Sequence, residues 1–182
     1  MIEIRRATLN DATFISDTYR PFVEDHWASF EQTAPSANDI AERITKAGDQ
    51  YPWLVAEDDG PHAYAYASAH RTRAAYQTSV DVAIYAAPSA RRKGIGKQLY
   101  HRLCEVLAKQ NFVMAFAGIA MPNEASVGLH RAVGFERVGT YPNVGFKDGV
   151  WRDTTWWSKP LAPPQTPPAR LVSVSDAWGV QT

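Results

Sequence analysis

Arg91-Arg92-Lys93-Gly94-Ile95-Gly96-Lys97 lies between an apolar run that reads as a strand, residues 76–86, and the most regular amphipathic segment of the chain. Pro88 stops the strand, because proline has no N–H to extend a ladder. Past the glycines, Ile95, Leu99, Leu103, Val106 and Leu107 recur at the spacing of a helix over residues 94–110 lying on a sheet. A basic, glycine-broken turn between strand and helix suits an anion. The first N–H groups of a helix lack intrahelical partners, its dipole is positive there, and glycine lets an oxygen approach the main chain. Arg91, Arg92, Lys93 and Lys97 add charge. A P-loop needs Ser or Thr after Gly-Lys, and Gln98 stands there; a dinucleotide fingerprint needs a third glycine where Leu99 stands. Taken alone, the turn reads either as a phosphate cradle of another kind or as a plain basic helix start.

Outward from this turn, residues 2–7 read as a strand, and Thr8 with Asp11 resembles a capping box for a helix carrying Ile15 and Tyr19. Residues 21–35 lack periodicity and read as helix end plus loop. Ser36 or Asn38 caps a second helix to about Ala47, with Gly48 beyond its end. Residues 51–57 and 62–70 flank Asp58-Asp59-Gly60 as a β-hairpin. Residues 112–120 form a buried strand, Asn123 caps a helix to Val133 that ends at Gly134, and residues 135–141 and 150–158 are further strands. This order predicts an α+β domain with a mixed sheet. From Pro160 onward five prolines, counting Pro160, point to an extended tail.

With 182 residues, 45% apolar and 21% charged, the chain is long enough for one domain with a sizeable core and is not a disordered polymer. Nineteen basic residues balance nineteen acidic ones, so no global field draws it to nucleic acid or an anionic membrane. The single cysteine, Cys104, excludes an internal disulfide framework and leans toward the cytoplasm. No apolar run reaches the roughly 18 residues of a membrane span, and the start shows no signal peptide; a soluble, unexported protein is expected.

Two more groups carry chemistry. On the predicted helix after Asn123, about 100° per residue brings Asn123, Ser126 and His130 within roughly 60° of one another, while Ala125, Leu129 and Ala132 are expected to face the core. In the strand before Pro88, alternation puts Asp81, Ala83 and Tyr85 on one face and Val80, Val82 and Ile84 on the other. Asp81 is thus an acid in an apolar strand, either turned to solvent or available as a base.

Arg91 through Gly96 is similar to the Arg-x-x-Gly-x-Gly acetyl-CoA signature of the GNAT superfamily of N-acetyltransferases. Asn123 through Ser126 with Gly134-Phe135 resembles the Asn-x-x-Ala/Ser and Gly-Phe segment of the same superfamily. Residues 51–57, Arg73-Ala74-Ala75-Tyr76, Pro122-Asn123, Leu129-His130, Val144-Gly145-Phe146-Lys147, and Trp151 and Asp153 after Gly149 look like phosphinothricin and methionine sulfoximine N-acetyltransferases, over about residues 2–160.

The resemblance implies a three-layer GNAT-like α+β fold, its mixed and mostly antiparallel sheet flanked by helices. It implies a domain over 1–160 with a proline-rich tail over 161–182, and direct acetyl transfer from acetyl-CoA to a small amino acid or analogue in a ternary complex. Asp81 falls where these enzymes carry a glutamate proposed as general base; one methylene shorter, it needs a bridging water or a shifted backbone. His130 falls at the position of the acid that protonates the departing thiolate, or assists deprotonation. A main-chain N–H near Tyr85 or Ala86, freed by a bulge, would meet the carbonyl oxygen. The coenzyme would lie along Ala86 and Ala87, over Arg91, Arg92, Lys93, Gly94, Ile95, Gly96 and Lys97, and beside Asn123 and Ser126. Arg73 leads the anion clamp, with Arg71, Tyr76 and Tyr85 beside it, since guanidinium pairs with carboxylate or phosphinate. Phe30 and Trp27 would wall the pocket, and residues 144–147 would close it from a second subunit. No metal is expected; a homodimer in the cytoplasm, conferring herbicide resistance, is. The alternatives are a protein or peptide acetyltransferase and a non-enzymatic acyl-CoA-binding module.

Overall fold

The computed structural model describes residues 1–90 and 93–179; Arg91 and Arg92 lie outside the described residues. In chain order the elements are β1 (Glu3–Arg6), α1 (Ala12–Glu24), α2 (Ala37–Ala47), β2 (Trp53–Glu57), β3 (Pro61–Ala69), β4 (Ser79–Ala86), α3 (Ile95–Lys109), β5 (Met114–Ala120), α4 (Glu124–Ala132), β6 (Glu136–Lys147), β7 (Val150–Pro160) and α5 (Val174–Trp178). The strands form one sheet in the order β1-β2-β3-β4-β5-β7-β6, antiparallel except for β4 and β5. This is the mixed, mostly antiparallel sheet that the resemblance implied.

Local chemistry explains the boundaries. Ser36, rather than Asn38, caps α2: its Oγ accepts from Asp39 N–H at 3.2 Å, and the Asp39 carboxylate accepts from Ser36 N–H at 2.8 Å. The strand expected from residue 76 starts at Ser79, and Ala74–Tyr76 is a 3-10 turn. β3 ends at Ala69 and β5 begins at Met114, so the ladders on both sides of β4 run out near Ser79. The strand expected to stop at Tyr141 continues to Lys147. The register shift between Tyr141 and Gly145 takes up Pro142, which an edge strand tolerates because its missing N–H breaks no inner ladder. Asp148 and Gly149, both with positive φ (52° and 77°), make the tight turn from β6 into β7.

Alternation gives the sheet two apolar faces. Leu54, Ala65, Val80 and Val82 pack against Leu99, Leu103 and Leu107 of α3. On the opposite face Val55, Tyr64 and Trp53 pack against Ile15 and Tyr19 of α1 and Ile40 of α2. Each fully buried side chain of this kind is worth about 1.5–3 kcal/mol in transfer free energy. The tail is extended to about Ser173, but its last stretch differs from the expectation. It forms α5, whose Val174 and Ala177 bury against Val106, while the Gln110 amide donates to Gln50 O and Val172 O at 3.0 and 3.1 Å.

Candidate active site

β4 and β5 pair only from Ser79/Met114 to Asp81/Phe116 and then separate, so the sheet opens into a fork with Asp81 and Phe116 at its vertex. The peptide groups along the fork follow from two hydrogen bonds. Ala87 N–H donates to His62 O on the β3 side (2.9 Å), and Val113 N–H donates to Thr78 O on the β5 side (2.8 Å). Strand alternation then turns odd-numbered peptides of β4 toward β3 and even-numbered ones, at Val82, Ile84 and Ala86, into the fork. The bulge expected near Tyr85 is not there: β3 and β4 stay in register from Ala63/Ala86 to Ala69/Val80. Strand divergence exposes the donors instead. Ala86 is thereby a donor toward the fork, whereas the Tyr85 N–H belongs to β3.

The two helix starts reached from the fork are those of α3 and α4. Gly94 caps α3 with φ +74°, a left-handed conformation glycine adopts at no steric cost, and nothing lies within 4 Å of where its Cβ would be. Gln98 N–H makes the first helical bond, to Gly94 O, which leaves the N–H groups of Ile95, Gly96 and Lys97 free of intrahelical partners. The Ile95 side chain is core, so only its backbone can meet a ligand. Gly96 serves packing, its Cβ position lying 3.4 Å from Leu129 and 3.6 Å from Ile84. Lys93 and Lys97 are exposed, and Ala87 is half-buried. Gly94→Ala is expected to cost about 1 kcal/mol in a denaturant titration, from left-handed strain alone.

On α4, Asn123 Oδ1 accepts from Ser126 N–H (3.1 Å), an ordinary cap. The helix is rotated from the expected setting. Leu129 packs against the core as expected, but Ala125 and Ala132 are exposed, and His130, with Val127, turns inward. His130 is 3% exposed; its Nδ1–H donates to Ser126 O (2.7 Å) and its Nε2 accepts from Tyr100 O–H (3.0 Å). Burial lowers its pKa. Both ring nitrogens are thus engaged within the chain, Nε2 by the Tyr100 hydroxyl and Nδ1 by the Ser126 carbonyl. Cys104 is buried, and burial pushes its thiol up to about 11, as a packing residue requires.

Asp81 sits at the vertex, where burial raises its pKa against the opposing hydrogen bond from His70. That partner is the residue sequence reasoning missed: His70 Nδ1 lies 2.6 Å from Asp81 Oδ1. The His70 ring stacks on Phe116 (4.4 Å between centroids, 18° between planes) and meets Tyr76 and Trp156 edge-on. A signal existed. His70 closes the run containing Tyr64 and Tyr66, and in a hairpin with β4 its parity puts it on the face of Asp81.

Tyr85 joins an aromatic cluster with Tyr19, Phe22 and Tyr64; burial pushes its phenol well above the ordinary value, so it stays protonated. The loop after α1 forms the near wall. Trp27 Nε1 donates to Pro122 O (2.9 Å), the Arg152 guanidinium lies 4.0 Å from the Trp27 ring centroid, and Phe30 lies against Gly145 so closely that a Cβ there would sit 2.3 Å from its ring. Lys147, 3% exposed, donates to Val23 O, Ser29 O and Glu31 O at 2.6, 2.7 and 3.0 Å. The hairpin of β6 and β7 thus reaches this loop within the same chain. Arg71, Arg73 and Tyr76 are exposed on the loop leaving β3; Arg71 sits over Trp156 (5.9 Å) and donates to its neighbour's carbonyl, His70 O. Among the described residues no three His, Cys, Asp or Glu side chains gather as a metal site.

A family model described as an acetyltransferase (GNAT) domain matches residues 4–156. The chain is 35% identical over 175 residues to a phosphinothricin N-acetyltransferase of Streptomyces coelicolor, covering 88% of this chain and 96% of that one. It is also 35% identical to an L-methionine sulfoximine/L-methionine sulfone acetyltransferase of Pseudomonas aeruginosa, with coverage of 91% and 98%. Among solved structures, a GNAT superfamily phosphinothricin acetyltransferase of Sinorhizobium meliloti in complex with acetyl-CoA superposes with a TM-score of 0.83 at 39% identity, over 87% of this chain and 88% of that one.

Proposed function

Since the chain belongs to the GNAT acetyltransferase family and is an acetyl-CoA-dependent N-acetyltransferase, we propose that its acceptor is the amino group of a small amino acid or analogue of the phosphinothricin or methionine sulfoximine kind, acetylated directly in a ternary complex. The observation that carries this reading is the fork between β4 and β5, with an acid at its vertex and the free N–H groups of α3 following from its mouth. The even-numbered peptides of β4 suit the extended pantetheine arm, which adds as a strand would, and the start of α3 suits the diphosphate. Ile84 or Ala86 N–H would meet the acyl oxygen. An N–H aimed at developing negative charge is the usual oxyanion device.

The acceptor side supports a small ligand. The loop carrying Trp27 and Phe30 is tied to Pro122 on one side and to Lys147 on the other, as an enclosed site for a small acceptor would require. Arg71 and Arg73 supply cations for an acidic far end, and Tyr76 and Phe30 apolar surface. Acid–base work falls to the Asp81 centre.

Purified protein mixed with acetyl-CoA and an amine panel tests the reading. Thiol release with phosphinothricin or methionine sulfoximine supports it, release with peptides alone favours the protein-modifying reading, and no release leaves a binding module. Arg73→Ala should raise the half-saturating acceptor concentration roughly tenfold, as expected for a charged hydrogen bond of about 1.5 kcal/mol; an unchanged value moves the clamp elsewhere. We further propose a cytoplasmic homodimer built on the apolar residues exposed along the hairpin, Tyr141, Val144, Phe146, Val150 and Trp151. Sedimentation of Trp151→Glu as a monomer, against a dimeric parent, checks it. Herbicide resistance would follow from acetylation of phosphinothricin.

A further inference from the structure

Resting on the acetyl-transfer reading above, we infer that His70, rather than Asp81, takes the proton from the acceptor ammonium, with Asp81 as the residue that orients the ring and stabilises the charge it acquires. An ammonium has no lone pair, so a base must act before the amine attacks. Asp81 Oδ1 is already engaged by His70 Nδ1 at 2.6 Å. An ionised carboxylate only accepts hydrogen bonds, so Nδ1 carries the hydrogen and the ring's lone pair lies on Nε2. Nε2 has no hydrogen-bond partner among the described residues, yet it is not among the buried polar atoms left without one, so it meets open space. The ring is held for the task. It is only 12% exposed, flat on Phe116 and flanked by Tyr76 and Trp156, at the vertex of the fork. The imidazole thereby carries the basicity of the Asp81 centre from its half-buried carboxylate across the ring to its far nitrogen, where the resemblance implied a bridging water or a shifted backbone.

The charged and titratable groups around His70 are Asp81 on β4, Arg71 and Tyr76 on the loop leaving β3, and Tyr66 on β3, whose phenol lies in the field of Asp81 and is kept neutral by burial. β5 and β7 present Phe116 and Trp156, which do not titrate. Asp81 stabilises the imidazolium formed when Nε2 takes one ammonium proton. The freed amine nitrogen then bonds to the thioester carbonyl carbon and loses its second proton to solvent. The C–S bond breaks, its electron pair leaves on sulfur, and the imidazolium proton neutralises that thiolate directly or through water. The result is one amide, one thiol and one proton released.

His70→Gln keeps a polar side chain of similar reach but no base. It should lower kcat roughly a hundredfold, leave the half-saturating acetyl-CoA concentration within about twofold, and remove the acid limb of the kcat/KM pH profile. His70→Ala should regain part of the lost rate when free imidazole is added, which a merely structural ring would not show. An active wild type with His70→Gln turning over equally fast on the same acid limb, or no imidazole rescue of a folded His70→Ala, overturns the assignment. A wild type silent with every small amine overturns the acetyl-transfer reading itself, and this assignment with it.

Discussion

Asp81→Asn is expected to lower turnover about a hundredfold while leaving the folded protein at least as stable at neutral pH. The rate loss follows from position. Asp81 is the acid at the fork's vertex and the hydrogen-bond partner of His70, and general-base catalysis contributes roughly a hundredfold or more. The stability result follows from its pKa, which burial holds above the ordinary carboxylate value. A carboxyl that binds its proton more tightly folded than unfolded makes the native state the better proton binder. Stability is therefore lost as pH rises from the usual carboxylate value through the folded one, and above that window the buried charge is a standing cost. Asparagine has no charge to desolvate. A kinetic pH profile and a thermal melt on the same sample check both halves. An unaltered pH–rate profile would remove Asp81 from the acid–base chemistry, and a melting temperature several degrees lower would mean that its contacts, rather than its charge, govern the local fold.

The second large effect belongs to Lys147. Its ammonium is the common donor to Val23 O, Ser29 O and Glu31 O, and so joins the hairpin of β6 and β7 to the loop after α1. Lys147→Met keeps the length and removes all three donors. A buried acceptor left without a partner costs about 1–3 kcal/mol. Partial rehydration of an opened loop would recover some of this, so about 3 kcal/mol is expected, read as a lower urea midpoint. The same variant should raise the half-saturating acceptor concentration, because the loop holds Trp27 and Phe30 against Pro122 and Gly145. Arginine should rescue poorly, since a planar guanidinium does not fit a site shaped for a compact ammonium. An unchanged urea midpoint would show that the other contacts of the loop, Trp27 with Pro122 and Glu31 with Arg43 among them, hold it without Lys147.

The particular residues divide in a physical way. Gly94, the stripe from Ile95 to Leu107, the Ser36 cap and the alternation around Asp81 were legible because each depends on neighbours within a turn of helix or a few strand positions. The face of α4 was not. Asn123, Ser126 and His130 do share a stripe, but the angles within a helix cannot say which side a sheet will cover, and Tyr100, thirty residues away, receives His130. The clasp between the hairpin and the loop after α1 was not legible either, because Lys147 and Ser29 are 118 positions apart and no local pattern joins them.

By itself, then, the sequence determined the order of the elements up to β7, the Ser36 and Asn123 caps, the apolar face of α3 and of the central strands, and the glycine turn at the start of α3, all governed by short-range sterics and hydrogen bonding. Only the tertiary structure decided that β4 and β5 part after Asp81, that His70 meets its carboxylate, that His130 turns into the core and that Lys147 clasps the pocket wall. Those outcomes depend on strand register, sheet divergence and the burial of groups far apart in the chain, and these are settled when whole elements compete for the same core.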